Sequence, residues 1–384
     1  MASETILSQL RELASGTDDV TARRQLIETL HRIANSLEDA DDTVHRYGYL
    51  HLQTAAVKVG FDLGLFRHLT ESEGSWTVAQ LAEKCSAEPA FLDRFMRYLA
   101  SIGAVEETSK DSYAGNNVSR NLANRMAEAG ISHCFNTIGP QYQVLPSFLR
   151  TTGYSNPTNE LLTVFQQAWA TSQHQFPWFA EHPEELQYFN DYMALRRKPE
   201  ISWLSVYPVE KEAAGCGNTR PIYVNIGGGI GHQCAQFKDK YPALAGRVIL
   251  QDLPHSISNA LPTPGVENMA HDFFEPQPVK GAKFYFTRGV LHNHPDHKVR
   301  LLLENIKSAM ATDSVILLDE MVLPEVGVNP YAAAMDLVMM SAFAGMERTE
   351  SQWRRIMECV GLKLVKTYVY NAASYESVMD VRLP

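Results

Sequence analysis

Apolar positions along the first third of the chain recur at helical spacing. Ile6, Leu7, Leu10 and Leu13 form one stripe, and Leu26, Leu30 and Ile33 form another after an acidic break at Asp18-Asp19. The pattern predicts two amphipathic helices, with a third from about Thr43 into Leu63. Apolar stripes at a terminus, ahead of any core, predict a partner chain, so a homodimer is expected. The rhythm shortens from Trp76. Thr77-Val-Ala-Gln-Leu-Ala-Glu reads as a short capped helix and Glu88-Pro-Ala-Phe-Leu-Asp-Arg-Phe-Met-Arg-Tyr-Leu as a longer one. The run from Gly103-Ala-Val-Glu-Glu through Asp111-Ser-Tyr-Ala then reads as a β-hairpin. That order predicts a winged helix-turn-helix.

Residues 121–215 read as helical again and dense in aromatics. Phe165, Trp169, Phe176, Trp178, Phe179, Tyr188, Phe189 and Tyr192 predict core packing and the wall of an apolar pocket. From Ile222 onward strands and helices alternate. Strands are expected at Tyr223–Ile226, Val248–Gln251, Lys283–Thr287, Val315–Asp319 and Leu364–Tyr370, and helices notably at Pro295–Ala309 and Ser351–Val360. This alternation predicts an α/β fold with a mostly parallel, doubly wound sheet and ligands at the strand C-termini. The expected division is a helical, winged-helix dimerisation domain over 1–120 and a catalytic domain over 121–384. The latter comprises a helical pocket segment (121–215) and the α/β core (216–384).

Composition narrows the function. The chain has 384 residues, 45% hydrophobic and 20% charged, with a net charge of −10. An acidic balance argues against nucleic acid or an anionic membrane as partner. The predicted winged helix offers only Arg94 and Arg97 on its second helix, and the wing carries Glu106 and Glu107, so DNA reading is not expected. Cys85, Cys134, Cys216, Cys234 and Cys359 are scattered and lack a C-x-x-C pair; they are expected to be buried thiols in a reducing compartment. With no membrane-length apolar run and no basic region before an apolar N-terminal core, a cytoplasmic protein is expected.

The sharpest chemical signal is Tyr223-Val-Asn-Ile-Gly-Gly-Gly-Ile-Gly231, followed by a helix-like Gln233–Tyr241 and then Val248-Ile-Leu-Gln-Asp252. A strand running into glycines, a helix and a second strand ending in a carboxylate is the first unit of a nucleotide-type site. The glycines allow close backbone approach, and the acid can accept from two ribose hydroxyls. Gly227, Gly229 and Gly231 give G-x-G-x-G, tighter than a dinucleotide fingerprint. That spacing resembles the S-adenosylmethionine (SAM) loop of class I methyltransferases.

With this loop in view, nearly the whole chain resembles the plant and fungal small-molecule O-methyltransferases of the caffeate and flavonoid type. The resemblance is carried by His182-Pro-Glu-Glu-Leu-Gln-Tyr-Phe-Asn-Asp-Tyr-Met193, Ser202-Trp-Leu-Ser-Val-Tyr-Pro, Asp252-Leu-Pro and His271-Asp-Phe-Phe. It continues through Phe286-Thr-Arg-Gly-Val-Leu-His-Asn-His-Pro-Asp296, Leu318-Asp-Glu-Met-Val-Leu-Pro and Gly345-Met-Glu-Arg-Thr349. It implies SAM as cofactor, held by the three loop glycines, by Asp252 at the ribose, by Asp272 and Phe273 at adenine, and by Arg288. It also implies His292 as general base, flanked by Glu320 and Glu347. Methyl transfer from a sulfonium needs no metal, but the acceptor hydroxyl must lose its proton, which suits a neutral imidazole. His294 and His297 have no carboxylate or cysteine at ligand spacing on a helix, so no metal site is expected. His133, Phe165, Trp169, Phe176, Met193, Met339 and Met340 are candidates for a flat, apolar acceptor pocket.

Three positions depart from the family pattern. Asn225 stands where an acid usually ends the first strand, Asn293-His294 where an acid and a tryptophan follow the histidine, and Arg288 where a lysine is common. Asn225 is expected to hydrogen-bond the loop backbone, with SAM affinity lowered by about 1 kcal/mol for the missing charge. A set of proteins in fungal pyridone-alkaloid pathways resembles the same family yet catalyses dehydration or pericyclic ring closure with SAM retained as a fixed charge. In that alternative, His133 and Arg288, with Arg197, would be donors to a substrate carbonyl.

Overall fold

The computed structural model describes every residue except Met1, Asp18, Ser72 and 197–200, together with the side chains of Ala2 and Ser3. Arg197 therefore lies outside the described residues. The chain forms two compact units, one of residues 1–143 with 176–197, the other of 144–175 with 198–384.

The first unit opens with helices Ala2–Ser15 and Val20–Asn35. Their apolar positions Ile6, Leu7, Leu13, Ile27 and Ile33 are exposed. The single helix expected from Thr43 into Leu63 is two, Ala40–Gly48 and Leu50–Asp62, because Tyr49 leaves the helical region at φ −107°, ψ 9°. The winged-helix elements follow. Helix Val78–Cys85 starts on a reciprocal cap between Thr77 and Gln80, and Pro89 opens helix Pro89–Ser101. Strands β1 (Trp76–Thr77), β2 (Glu106–Ser109) and β3 (Ser112–Ala114) pair in the order β1-β3-β2. Leu65, Phe66, Leu81, Leu92, Met96 and Tyr113 centre the core of this unit. Helix Arg125–His133 belongs here too. It packs on helix Pro183–Leu195, where the Tyr192 ring lies so close to Gly130 that a Cβ there would fall 2.8 Å from it. That packing draws 121–143 and 176–197 into the first unit, so the compact division does not fall at residue 120.

The second unit is built on β4 (Pro221–Ile226), β5 (Arg247–Asp252), β6 (Val266–Ala270), β7 (Phe284–Arg288), β8 (Val315–Leu323), β9 (Arg348–Thr349), β10 (Lys363–Asn371) and β11 (Glu376–Arg382). The order is β10-β11-β8-β7-β4-β5-β6, with β9 paired to the end of β8. Pairs among β4, β5, β6, β7 and β8 are parallel, whereas β11 runs antiparallel to both β8 and β10. Both faces of the central strands β4, β5, β7 and β8 are buried, which is why they read as near-continuous apolar runs. Val224, Ile226, Tyr285, Leu318 and Trp353 belong to one core, and Trp203, Tyr223, Phe237, Phe284 and Phe286 to the other. The strand order turns at β4, so its C-terminal end is a topological switch point.

Among the described residues no helix is long and apolar enough to cross a membrane. The cysteines are not uniformly buried as expected. Cys234 is buried, Cys85 and Cys216 are half-buried, and Cys134 and Cys359 are exposed. Nothing in a bare cysteine spacing reports exposure, which burial of the flanking helix face decides.

Candidate active site

The loop after β4 brings the backbone against its neighbours. A Cβ at Gly228 would meet the Asn225 amide nitrogen at 2.4 Å and Leu250 at 2.5 Å, so no larger residue fits. Gly229 has φ +60° and open space on its side-chain face. Its N–H donates to Asp252 Oδ2 at 2.8 Å, and Leu253 N–H donates to Oδ1 at 2.8 Å. The acid at the tip of β5 is thereby aimed across the loop mouth. Asn225 is 1% exposed, and its Nδ2 makes no hydrogen bond to the loop, contrary to expectation; the amide instead packs directly against Gly228.

The segment 271–274 closes the other side. His271 N–H donates to Asp252 O at 2.9 Å, and Asp272 Oδ1 accepts from Phe274 N–H at 2.9 Å. The Phe273 ring lies 3.5 Å from the Cβ position of Gly227. Gly227, Gly229, Gly231, Asp252, Asp272 and Phe273 thus gather at the C-terminal ends of β4, β5 and β6. Arg288, at the end of β7, turns into the sheet: its Nε lies 3.2 Å from Asp319 Oδ2, and Asp319 Oδ1 accepts from Tyr370 at 2.7 Å.

His292 sits on a single turn, Leu291–Asn293, immediately after β7. Its Nδ1 is 2.7 Å from Glu347 Oε1, and the Glu347 side chain is 1% exposed. Glu320, on β8, does a different job. Its Oε1 accepts from Val290 N–H (3.1 Å) and Leu291 N–H (2.8 Å), so it holds the turn rather than the ring. Burial pushes the Glu320 carboxyl up to about 7, with His292 opposing and Glu347 reinforcing the shift.

The arm carrying Glu347 is bound to the same turn. Met346 N–H donates to His292 O at 3.0 Å, and a Cβ at Gly345 would lie 2.1 Å from that oxygen. Arg348 is fully buried. It donates to Leu291 O (3.3 Å), Met346 O (3.2 Å) and His294 O (2.9 Å), and pairs with Asp296 Oδ1 at 2.8 Å. Asp336 Oδ1 accepts from Glu347 N–H at 2.9 Å. One guanidinium therefore fastens both the histidine turn and the carboxylate arm. Arg348 and Asp296 stand inside two of the motifs without a role legible from the sequence; their signal is a charged pair flanking the glutamate and the histidine.

The pocket candidates fall in both units. In the first, His133 is 7% exposed at the end of its helix, where the backbone passes into the π-helical turn Cys134–Ile138. Its ring meets Phe189 edge-on (5.4 Å between centroids), and burial lowers its pKa to about 4. Phe176 is exposed and Met193 half-buried. In the second unit, helix Val164–Trp169 packs on helix Pro330–Phe343. Phe165 and Met339 are buried there, while Trp169 and Met340 are half-buried.

A doubly wound sheet with a glycine loop, a strand-tip acid and a carboxylate-held histidine defines a class I methyltransferase. The chain belongs to the O-methyltransferase family. Residues 158–363 match the O-methyltransferase domain, and 47–125 match the O-methyltransferase dimerisation domain. It is 38% identical to the demethylsterigmatocystin 6-O-methyltransferase of Aspergillus parasiticus, over 99% of this chain and 98% of that one. It is also similar to LepI of Aspergillus flavus, solved in complex with SAM, at 36% identity, a TM-score of 0.89 and coverage of 100% and 99%. A structure described as a pericyclic reaction enzyme matches with the same identity, TM-score and coverage. The enzyme is a SAM-dependent O-methyltransferase. Its loop suits that cofactor: the space a Cβ would take at Gly228 is filled by Asn225 and Leu250, and Gly229 leaves its own face open beside Asp252.

Proposed function

We propose that this enzyme methylates a hydroxyl of an aromatic or polyketide-like small molecule in secondary metabolism, with His292 as the general base. The observation that carries the reading is the 2.7 Å contact between His292 Nδ1 and the buried Glu347. A carboxylate on Nδ1 fixes the tautomer that leaves Nε2 as proton acceptor and stabilises the imidazolium that forms. SAM supplies an electrophilic methyl on a sulfonium. Gly227, Gly229 and Gly231 admit its methionine portion, Asp252 accepts from its ribose, and Asp272 with Phe273 borders its adenine. Arg288 acts from within the sheet through Asp319. Glu320 keeps the Val290–Leu291 amides, and hence His292, in register. Phe165, Trp169, Met339 and Met340 form an apolar wall for the acceptor in the second unit; His133, Phe176 and Met193 are the acceptor-binding candidates of the first.

We assign a homodimer, supported by the dimerisation-domain match and by the exposed apolar stripes of the first two helices. The working compartment is the cytoplasm, and the dimerisation and catalytic roles divide near residue 120.

A second reading follows from the likeness to a pericyclic reaction enzyme. SAM would then persist as a fixed charge, with His133, Arg288 and Arg197 acting on a substrate carbonyl. Mass spectrometry of the protein with SAM and a panel of phenolic and pyridone-type acceptors separates the two. Adenosylhomocysteine rising in step with a product heavier by one methyl is expected. An isomerised or dehydrated product with SAM intact overturns the methyl-transfer reading.

A further inference from the structure

His294, next but one after His292, has a partner from far away in sequence. Its Nδ1 is 3.2 Å from Glu160 Oε2, with side-chain exposures of 11% and 21%. The imidazole stands edge-on to Phe274 (5.1 Å, 82°) and to Phe273 (5.7 Å, 72°). Lys298 completes the group, 3.9 Å from Glu160 Oε1 and 4.4 Å from the Phe274 centroid. Phe273 in turn lies against Gly227 of the cofactor loop. The hydrogen bond to His294 keeps the Glu160 carboxyl below its ordinary range.

Glu160 is placed to connect two walls. It lies on an irregular stretch that runs into helix Val164–Trp169, and its carbonyl accepts from Gln166 Nε2 of that helix at 3.2 Å. The same Gln166 caps the helix start through Thr163. A continuous set of contacts therefore links helix Val164–Trp169, Glu160, His294, Phe273 and the Gly227 turn. The backbone of this wall is held elsewhere, since Asn305 Nδ2 donates to Phe273 O (3.3 Å) and Phe274 O (2.8 Å) and Phe273 packs on the apolar core; what His294 adds, itself set by Glu160, is an edge contact that bounds both rings.

We propose that Glu160 and His294 are a positioning pair that bounds the Phe273 wall for the cofactor's adenine. The proposal rests on the assignment of the glycine loop and Phe273 to SAM. The pair does not touch the reacting atoms, so it acts on cofactor affinity and not on the transfer step.

The test is calorimetric SAM binding together with steady-state kinetics on the full-length protein. Glu160→Ala and His294→Ala are each expected to weaken SAM binding and raise its KM about five- to tenfold, the net size of one ordinary hydrogen bond, with kcat at saturating SAM unchanged. Glu160→Gln, which keeps an acceptor for Nδ1, should recover most of the affinity. In a His294→Trp background the wall no longer needs the carboxylate, so Glu160→Ala should have no further effect. Unchanged affinity in both alanine variants overturns the pair, as does a Glu160→Ala effect of equal size beside His294→Trp. Wild-type protein that binds no SAM overturns the cofactor assignment and the pair together, whereas normal wild-type binding with indifferent variants overturns the pair alone.

Discussion

Two histidines in this chain show how surroundings make different chemistry from one side chain. His292 has a buried carboxylate on Nδ1, a turn held by Glu320, and an arm fastened by Arg348. His133 has aromatic rings around it, and its Nδ1 is buried with no hydrogen-bond partner among the described residues. The first arrangement favours gaining a proton at the moment of reaction. The second resists protonation down to a pKa of about 4. A neutral imidazole can donate one weak hydrogen bond, but it cannot supply a cation, and with no carboxylate to steady it, it is poorly suited to take a proton.

The largest expected effect lies at the first of these sites. His292→Ala should lower kcat by about 10²–10⁴-fold, the usual contribution of a positioned base, with SAM affinity by calorimetry unchanged. A loss below tenfold would break the contrast, because His292 would then be no better placed than His133. The knot around it is the next target. Arg348→Met removes donors from one buried and two part-buried carbonyls and the cation beside Asp296, and should cost about 3 kcal/mol of stability in urea unfolding. Arg348→Lys should not rescue it, because an ammonium cannot span partners that a planar fork reaches.

A mirrored pair of pH dependences sharpens the comparison further. The Glu320 carboxyl is raised from 4.5 to about 7. The folded state therefore holds this proton longer than the unfolded state does, and stability falls as pH rises from about 4.5 to 7. His133 is lowered from 6.5 to about 4. The unfolded state takes that proton first, so stability falls as pH drops from about 6.5 to 4. Each shift corresponds to at most about 3 kcal/mol across its window. Glu320→Gln, which keeps an oxygen for the Val290 and Leu291 amides, should gain on wild type above pH 7. His133→Phe should gain on it below pH 5. Urea midpoints at pH 4.5 and 7.5 check both, and parallel pH profiles in the variants and wild type would refute the assigned surroundings.

The sequence displayed the chemistry better than its scaffolding. β4, β5, β7 and β8 were legible because both faces are buried and the apolar run is nearly unbroken, and β10 because its β-branched and aromatic residues give it a strand composition although it is largely exposed. β6 (Val266–Ala270) escaped notice because it is an edge strand with Glu267 and Asn268 exposed. β11 escaped too, since Glu376-Ser-Val-Met-Asp lies close to the chain end and its burial depends on insertion between β8 and β10. The break at Tyr49 left no trace in the helical periodicity. Motif residues such as His292 and Glu347 were readable one at a time. That Glu320 serves backbone amides while Glu347 serves the ring is a fact of geometry that spacing does not encode. The 134-residue separation of Glu160 and His294 hides that pair completely.

The smallest expected effect is also the most discriminating. His133→Phe keeps a flat aromatic ring against Phe179 and Phe189, exchanges a five-membered ring for a somewhat larger six-membered one, and removes both nitrogens. Under methyl transfer by His292, kcat and the acceptor KM should stay within about threefold of wild type, far from the loss that follows removal of a general base. If His133 instead donates to a developing charge on a substrate oxygen, its removal should cost about 10²-fold or more in turnover while SAM affinity is untouched. The substitution relieves a buried unpartnered nitrogen but adds volume at a buried site, so the urea midpoint of the variant decides whether a fall in activity reflects lost stability. A large loss in His133→Phe alongside a tolerated His292→Ala would exchange the roles of the two histidines, and the reaction would no longer be methyl transfer.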